Sequence, residues 1–304
     1  MAKTLLFITS NRLGDAVLST GLLQAALQRF APDAVTVACG PIPAPLFQGV
    51  PKLEEIIILD KKRRGAHWLD LWKRCARRKW DVVIDLRHSL VSYFIPAKQV
   101  FRFTRADKNK HKTEQLAAVL KLSPVPPNKI WITEEAKKKA LGLMGSGRIL
   151  ALCPTAAWQG KRWPPEKFIE AALRLTAQGE RIAVFAAADE AAQAQALIET
   201  LKKSREVIDL VGETDVLEAA ACLAYCRLCL ANDSGLMHLA AAMRVPTLGL
   251  FGPSSDVEYR PWGPNAAFVR GAPFKGMQNT RDPQALMQAL SVEHVIAAAQ
   301  KLLA

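Results

Sequence analysis

Short apolar runs recur along the chain, separated by longer stretches in which apolar and polar residues alternate with helical spacing. The runs at 4–8, 35–39, 56–59, 82–86 and 100–103 read as strands, and 16–30, 68–79 and 111–122 read as helices. The strand candidates are apolar throughout rather than alternating. That pattern belongs to a parallel sheet covered on both faces. A proline-rich stretch at 123–128 breaks the series and reads as a domain edge. Residues 129–146 are expected to bridge with one strand and one helix. A second series has strands at 149–153, 182–185, 207–211, 228–231 and 247–251, with helices at 165–178, 190–203, 215–225 and 236–243. Two amphipathic helices, 283–290 and 292–303, close the chain. Strand–helix alternation in both halves implies right-handed βαβ units. The expectation is an α/β protein with domains at 1–128 and 129–290. A closing segment, 291–304, is expected to pack back toward the first domain. Ligands of open α/β sheets bind beyond the carboxyl ends of the strands, so the loops there are read for chemistry.

Composition supports folded domains: of 304 residues, 50% are hydrophobic and 23% charged. No apolar run approaches the ~20 residues that a bilayer-spanning helix needs. Ser10, Asn11 and Arg12 interrupt the first apolar run, which therefore does not read as a signal-peptide core. A cytoplasmic protein is expected, with its six cysteines as reduced, buried thiols. Charge adds something the periodicity does not. Of the net +13, residues 52–112 carry 17 Lys and Arg against 7 Asp and Glu. Such a concentrated field faces something anionic: nucleic acid, a phosphorylated substrate or a membrane surface. Lys61, Lys62, Arg63 and Arg64 are its densest run. A solvated helix face, with Trp68, Leu71 and Trp72 as its buried stripe, is the alternative for the basic stretch that follows.

Three loops carry candidate chemistry. The first is Ser10-Asn-Arg-Leu-Gly-Asp-Ala, between strand one and helix one. Gly14 permits close backbone approach. Asp15 reads either as the helix N-cap, a role worth ~1 kcal/mol, or as a carboxylate placed for general-base work. The second loop runs from Pro154 to Phe168. Lys161 and Arg162 stand there just before the Pro164-Pro165 helix start, where an anion such as a diphosphate would sit. The third is Asn232-Asp-Ser-Gly-Leu-Met-His. A strand ends at Asn232-Asp233 and a helix begins at Ser234-Gly235, so free N–H groups and the helix dipole make an anion site. Gly235 leaves room for a phosphate, and His238 on the first turn can donate to a phosphate or sugar oxygen. Ser254, Ser255 and Asp256, after the strand at 247–251, read as ligand contacts or as turn formers.

Taken together these segments resemble glycosyltransferase family 9, the ADP-heptose:lipopolysaccharide heptosyltransferases. The resemblance rests on Arg12-Leu-Gly-Asp-Ala-Val-Leu-Ser-Thr, Lys161-Arg-Trp-Pro, Val211-Gly-Glu-Thr, and Asn232-Asp-Ser-Gly-Leu-Met-His-Leu-Ala-Ala-Ala followed by Leu250-Phe-Gly-Pro. These matches are collinear and span residues 12–253. The resemblance implies a GT-B type fold of two facing Rossmann-like domains with a cleft between them. It implies inverting sugar transfer from a nucleotide sugar, with no obligatory metal and no cofactor beyond the ADP-sugar substrate. It makes Asp15 the catalytic base and gives Lys161 the donor's phosphates and sugar. Asp233, Ser234, Gly235, His238 and Gly14 fall to donor binding. Glu190, or its neighbour Asp189, falls near the donor ribose. The acceptor would be an acidic, lipid-linked saccharide met by Lys61, Lys62, Arg63 and Arg64, with the protein peripheral on the anionic inner membrane. One departure stands out: Ala156 and Ala157 occupy positions where relatives carry Thr or Gly.

Other readings explain single features. Cys222, Cys226 and Cys229 have the C-x3-C-x2-C spacing of radical-SAM iron–sulfur sites but run through a helix into a buried strand. A nucleic-acid binder would use the charge, yet no recognition motif or stacking aromatics accompany it. A Rossmann dehydrogenase lacks Gly-x-Gly-x-x-Gly after the first strand. A sugar-nucleotide epimerase of the same architecture would turn over the donor without any acceptor.

Overall fold

The computed structural model describes residues 2–61, 65–104, 107–273 and 282–304. The chain divides into two compact units, residues 1–133 and 134–304.

The first unit is a five-stranded parallel sheet. Its elements are β1 (Thr4–Ile8), α1 (Leu13–Phe30), β2 (Ala34–Cys39), β3 (Leu53–Ile58), α2 (Ala66–Cys75), β4 (Trp80–Asp85), β5 (Ala97–Arg102) and α3 (Lys112–Ala117). The sheet order is β3-β2-β1-β4-β5, with Leu5 registered on Val35 and Val82. β1 is wholly buried because it is central and covered on both faces. α1 ends where Ala31 turns left-handed at φ 43° and its N–H donates to Leu27 O. Residues 129–133, expected to hold a strand, are irregular. They and the preceding prolines are held on this unit through close backbone contacts. Lys129 N–H donates to Thr20 Oγ1, and a Cβ on Gly49 would fall 1.9 Å from Trp131 O.

The second unit has six parallel strands. In chain order it holds α4 (Glu134–Met144), β6 (Ile149–Cys153), α5 (Pro165–Leu175), β7 (Arg181–Val184), α6 (Ala191–Lys202), β8 (Val207–Asp209), α7 (Val216–Leu223), β9 (Leu228–Asn232), α8 (Gly235–Ala242), β10 (Thr247–Phe251), α9 (Asp256–Tyr259), β11 (Ala266–Arg270), α10 (Pro283–Gln288) and α11 (Val292–Leu303). The order β11-β10-β9-β6-β7-β8 reverses direction between β6 and β9. Pro165 opens α5 with a φ already suited to a helix. Asp215 and Glu218 form a capping box on α7. Ser291 caps α11, whose Val295, Ile296 and Ala299 enter this unit's own core beside Phe168 and Leu290. The closing helix, expected to lean on the first domain, thus completes the second.

Each unit has the Rossmann-like form the sequence implied. In both, all strands run parallel, so every strand-to-helix loop emerges at one edge.

Candidate functional site

The site builds up where the second sheet changes direction. Cys153, at the end of β6, is registered on Ala231 of β9, so the loops leaving these two strands start side by side and then diverge. Open α/β sheets bind ligands in the crevice this divergence leaves. Asn232 ties the two loops together from full burial. Its amide N–H donates to Pro154 O at 2.7 Å, and its Oδ1 accepts from Trp163 N–H at 3.1 Å. Trp163 is itself anchored, its indole N–H reaching Leu290 O at 3.0 Å. The loop 154–163 is thereby fixed at both ends before it presents any charge.

On that loop, Lys161 Nζ lies 2.6 Å from Asp233 Oδ2. Its side chain is 27% exposed and that of Asp233 7%, so the pair stands at the wall of the crevice rather than in the core. Ser234 follows as the N-cap of α8, but its side chain makes no capping bond. Its Oγ is buried with no hydrogen-bond partner among the described residues. The first N–H groups of an eight-residue helix therefore open beside a lysine, with a serine hydroxyl uncommitted. Gly235 is the first helical residue, and His238 is buried on the first turn.

Glu190 approaches from the loop after β7 and accepts from the buried Thr155 Oγ1 at 2.7 Å. Asp189 is exposed, so Glu190 is the carboxylate the fold draws toward this edge. Gly212 sits against the same loop with φ +73°, its N–H donating to Ala186 O. A Cβ there would lie 3.0 Å from the Ala188 Cβ, which explains the glycine. Of the residues after β10, Ser255 caps α9 and Asp256 pairs with Arg270, so both serve the fold. Ser254 Oγ is buried without a partner among the described residues. Thr155 and Asn232 are the members of this constellation to which sequence reasoning gave no role. Their signal was position alone, each at the carboxyl end of a central strand.

In the first unit the change of direction falls between β1 and β4. Asp15 is half-buried there as the third residue of α1. It is not the cap: that position is held by Arg12, which makes no side-chain capping bond. Gly14 is the second residue of the helix. Asp15 Oδ2 is 3.5 Å from Ser10 Oγ, which also accepts from Arg12 N–H and from Arg87. The loop after β4 is shaped by Asp85, fully buried, which accepts from Arg87 N–H, Ser89 N–H and Ser89 Oγ. Lys61 is exposed, whereas Lys62, Arg63 and Arg64 lie outside the described residues.

The cysteines do not converge. All six are free and buried. Cys229 faces Cys153 across the β9–β6 pair, while Cys226 donates to Cys222 O within its own turn. Among the described residues no cluster of three metal-ligating side chains occurs.

With this geometry in place, comparison with known proteins adds an independent line. The sequence model of glycosyltransferase family 9 (heptosyltransferase) matches residues 121–289, more than half the chain. The lipooligosaccharide heptosyltransferase 2 of Campylobacter jejuni is 30% identical over 82% of this chain and 81% of its own length. The chain belongs to glycosyltransferase family 9. The lipooligosaccharide heptosyltransferase 2 of Haemophilus influenzae is 28% identical over 88% of both chains. Among solved structures, the ADP-heptose lipopolysaccharide heptosyltransferase II of Escherichia coli superposes with TM-score 0.77 at 22% identity, covering 99% of this chain and 98% of that one. The GT-B type fold of two parallel-sheet α/β domains is the family's own, and this family member is a glycosyltransferase.

Proposed function

We propose that the protein transfers heptose from ADP-heptose to a hydroxyl of a lipopolysaccharide or lipooligosaccharide core acceptor, inverting the anomeric carbon. The observation that carries this reading is Lys161 beside the open N-terminus of α8 at the sheet's switch point. The relatives' names supply the donor and acceptor class. ADP's diphosphate would accept from the N–H groups at Gly235 and from Lys161, with Ser234, His238 and Asp233 around it. Glu190 would meet the ribose. As the bond from the anomeric carbon to the phosphate oxygen breaks, its electron pair leaves on ADP. Donors fixed in advance stabilise that charge, each worth roughly 10²–10³-fold. Asp15 takes the acceptor hydroxyl's proton as that oxygen attacks, a contribution of roughly 10²–10⁴-fold.

The basic stretch 52–112, Lys61 to Arg64 included, would receive the acidic, lipid-linked acceptor. We place the enzyme peripherally on the cytoplasmic face of an anionic membrane. No helix among the described residues is long and apolar enough to cross one.

The test combines calorimetric titration with ADP and a mass-spectrometric transfer assay using ADP-heptose and a heptose-free core acceptor. ADP should bind the wild type, and Lys161→Ala should lose at least about tenfold in affinity. Asp15→Asn should keep ADP affinity and lose at least about 10²-fold in transfer. Consumption of ADP-heptose without acceptor would replace transfer with epimerase-like chemistry. Failure to bind ADP would remove the donor assignment.

A further inference from the structure

α2 has a wider apolar face than a solvated surface helix needs. Leu71 and Cys75 are buried beside Val91 and Ile95, and Trp68 packs against that cluster. Trp72, one turn from Trp68 at the edge of that stripe, and Leu69, further round, are exposed. One of the two sequence readings of this helix puts Trp72 in the buried stripe. Instead it is 38% exposed, and its indole N–H donates to Phe94 O, joining α2 to the turn after β4. That turn exposes Leu90 (74%), Tyr93 (53%) and Phe94 (69%). Two adjoining segments thus bring five exposed large apolar side chains together, the kind of grouping that marks an interaction site.

The surroundings say what covers them. Lys73 lies one turn beyond Leu69 and is exposed, as are Arg77 and, beside the turn, Arg87. Arg102 stacks on the Tyr93 ring with its guanidinium carbon 3.7 Å from the centroid, and it clamps the turn through Ser92 O and Ser92 Oγ. Asp70 is the one acid on α2 and is exposed; of the acids on the neighbouring strand, Glu55 pairs with Arg74 and Glu54 with Arg78, so cations still predominate around the patch. An apolar patch with aromatic edges and a cationic rim complements a bilayer interface rich in anionic headgroups, where rings and aliphatic chains enter the acyl boundary and cations stay among the phosphates.

We propose that Leu69, Trp72, Leu90, Tyr93 and Phe94 form a membrane-inserting wedge. Lys73, Arg77 and Arg87 hold it against anionic lipid. This deepens the reading of a lipid-linked acceptor by naming the surface that brings the enzyme to it. The test itself uses no acceptor and no transfer, so the two readings fail separately.

The test is co-sedimentation of the full chain with phosphatidylcholine vesicles with and without phosphatidylglycerol, at low and high salt. Wild type should bind the phosphatidylglycerol vesicles, with part of the binding surviving high salt. Leu90→Ser with Phe94→Ser should weaken binding at least about tenfold. Circular dichroism melts and ADP affinity should match the wild type. Leu69→Ser with Trp72→Phe should give the same direction on a different element. Wild-type binding that high salt abolishes and neither double variant changes would reduce the surface to electrostatics and overturn the wedge. So would concentration-dependent dimerisation that the variants abolish, with no vesicle binding.

Discussion

At the scale of the residue, Lys161 and Asp233 answer to two demands at once. As an ion pair they neutralise each other at 2.6 Å; as the proposed binding wall they would meet the donor. The demands separate experimentally. Lys161→Ala strands a mostly buried carboxylate, a cost of about 1–3 kcal/mol in urea-denaturation midpoint. Adding Asp233→Asn should recover most of that stability while leaving ADP affinity low. Recovery of both would make the pair structural only. The thiols offer a second check. Burial pushes Cys39 up to about 12; it does the same for Cys75, with Glu55 adding to it. A raised thiol stays protonated at pH 8, and the thiolate is the reacting form. All six thiols are buried, so native protein should leave a disulfide reagent untouched at pH 8, and all six should react once urea unfolds it.

At the scale of the element, Asn232 and Asp81 act as fasteners. Asn232→Ala should cost about 2–3 kcal/mol through two broken buried bonds. It should also weaken ADP by loosening the loop 154–163, read by calorimetry. Asp81 joins three strands: its carboxylate accepts from Thr4 N–H of β1 and pairs with Lys98 of β5. Lys98 foremost, then the Thr4 N–H, lower its pKa from 3.8 to about 2. A depressed carboxylate stabilises the fold above its unfolded pKa and loses that effect as pH falls through its folded value. Melting curves from pH 6 to 2 should show wild type above Asp81→Asn near neutrality and the two converging by pH 2.

The same scale shows what could be read in advance. Strands such as β1, β6 and β10 are continuous apolar runs flanked by turn residues, so period and length located them. β11 was not foreseen because Ala-Ala-Phe-Val-Arg at the sheet edge is half-buried and weakly patterned. Residues 129–133 looked like a strand because Ile130, Trp131 and Ile132 are apolar, but they pack on α1's unit without pairing. The site's loops were legible because glycine, serine and charge stand directly after strands. The cap assignment of Asp15 failed because Arg12, with no capping side chain, starts the helix. The reading that buries Trp72 went too far because the residue stands at the edge of the buried stripe, where helical spacing alone cannot tell covered from exposed.

At the scale of the whole molecule, the two units carry separate cores, and of the residues proposed to meet the donor, Lys161, Glu190, Asp233, Ser234, Gly235 and His238 lie in the second and Gly14 in the first. Residues 123–133 are fastened to the first, so a cut between Thr133 and Glu134 follows the boundary between the units. The fragment 134–304 should fold and bind ADP with an affinity near that of the full chain, and it should show no sugar transfer. At about 100-fold excess over Kd, ADP should stabilise it by ~2.7 kcal/mol, visible as a raised melting temperature. A fragment that folds but ignores ADP would move part of the donor site elsewhere.

The Lys161–Asp233 contact also means that the proposed donor site contains its own counterion. A lysine left bare at a helix start would collect chloride or inorganic phosphate from solution, and each anionic ligand would have to displace it. Here the exchange is internal. On the proposed reading an incoming diphosphate would share Lys161 with a carboxylate that cannot diffuse away, so the site would discriminate against small mobile anions, and donor affinity should vary little with the salt around it.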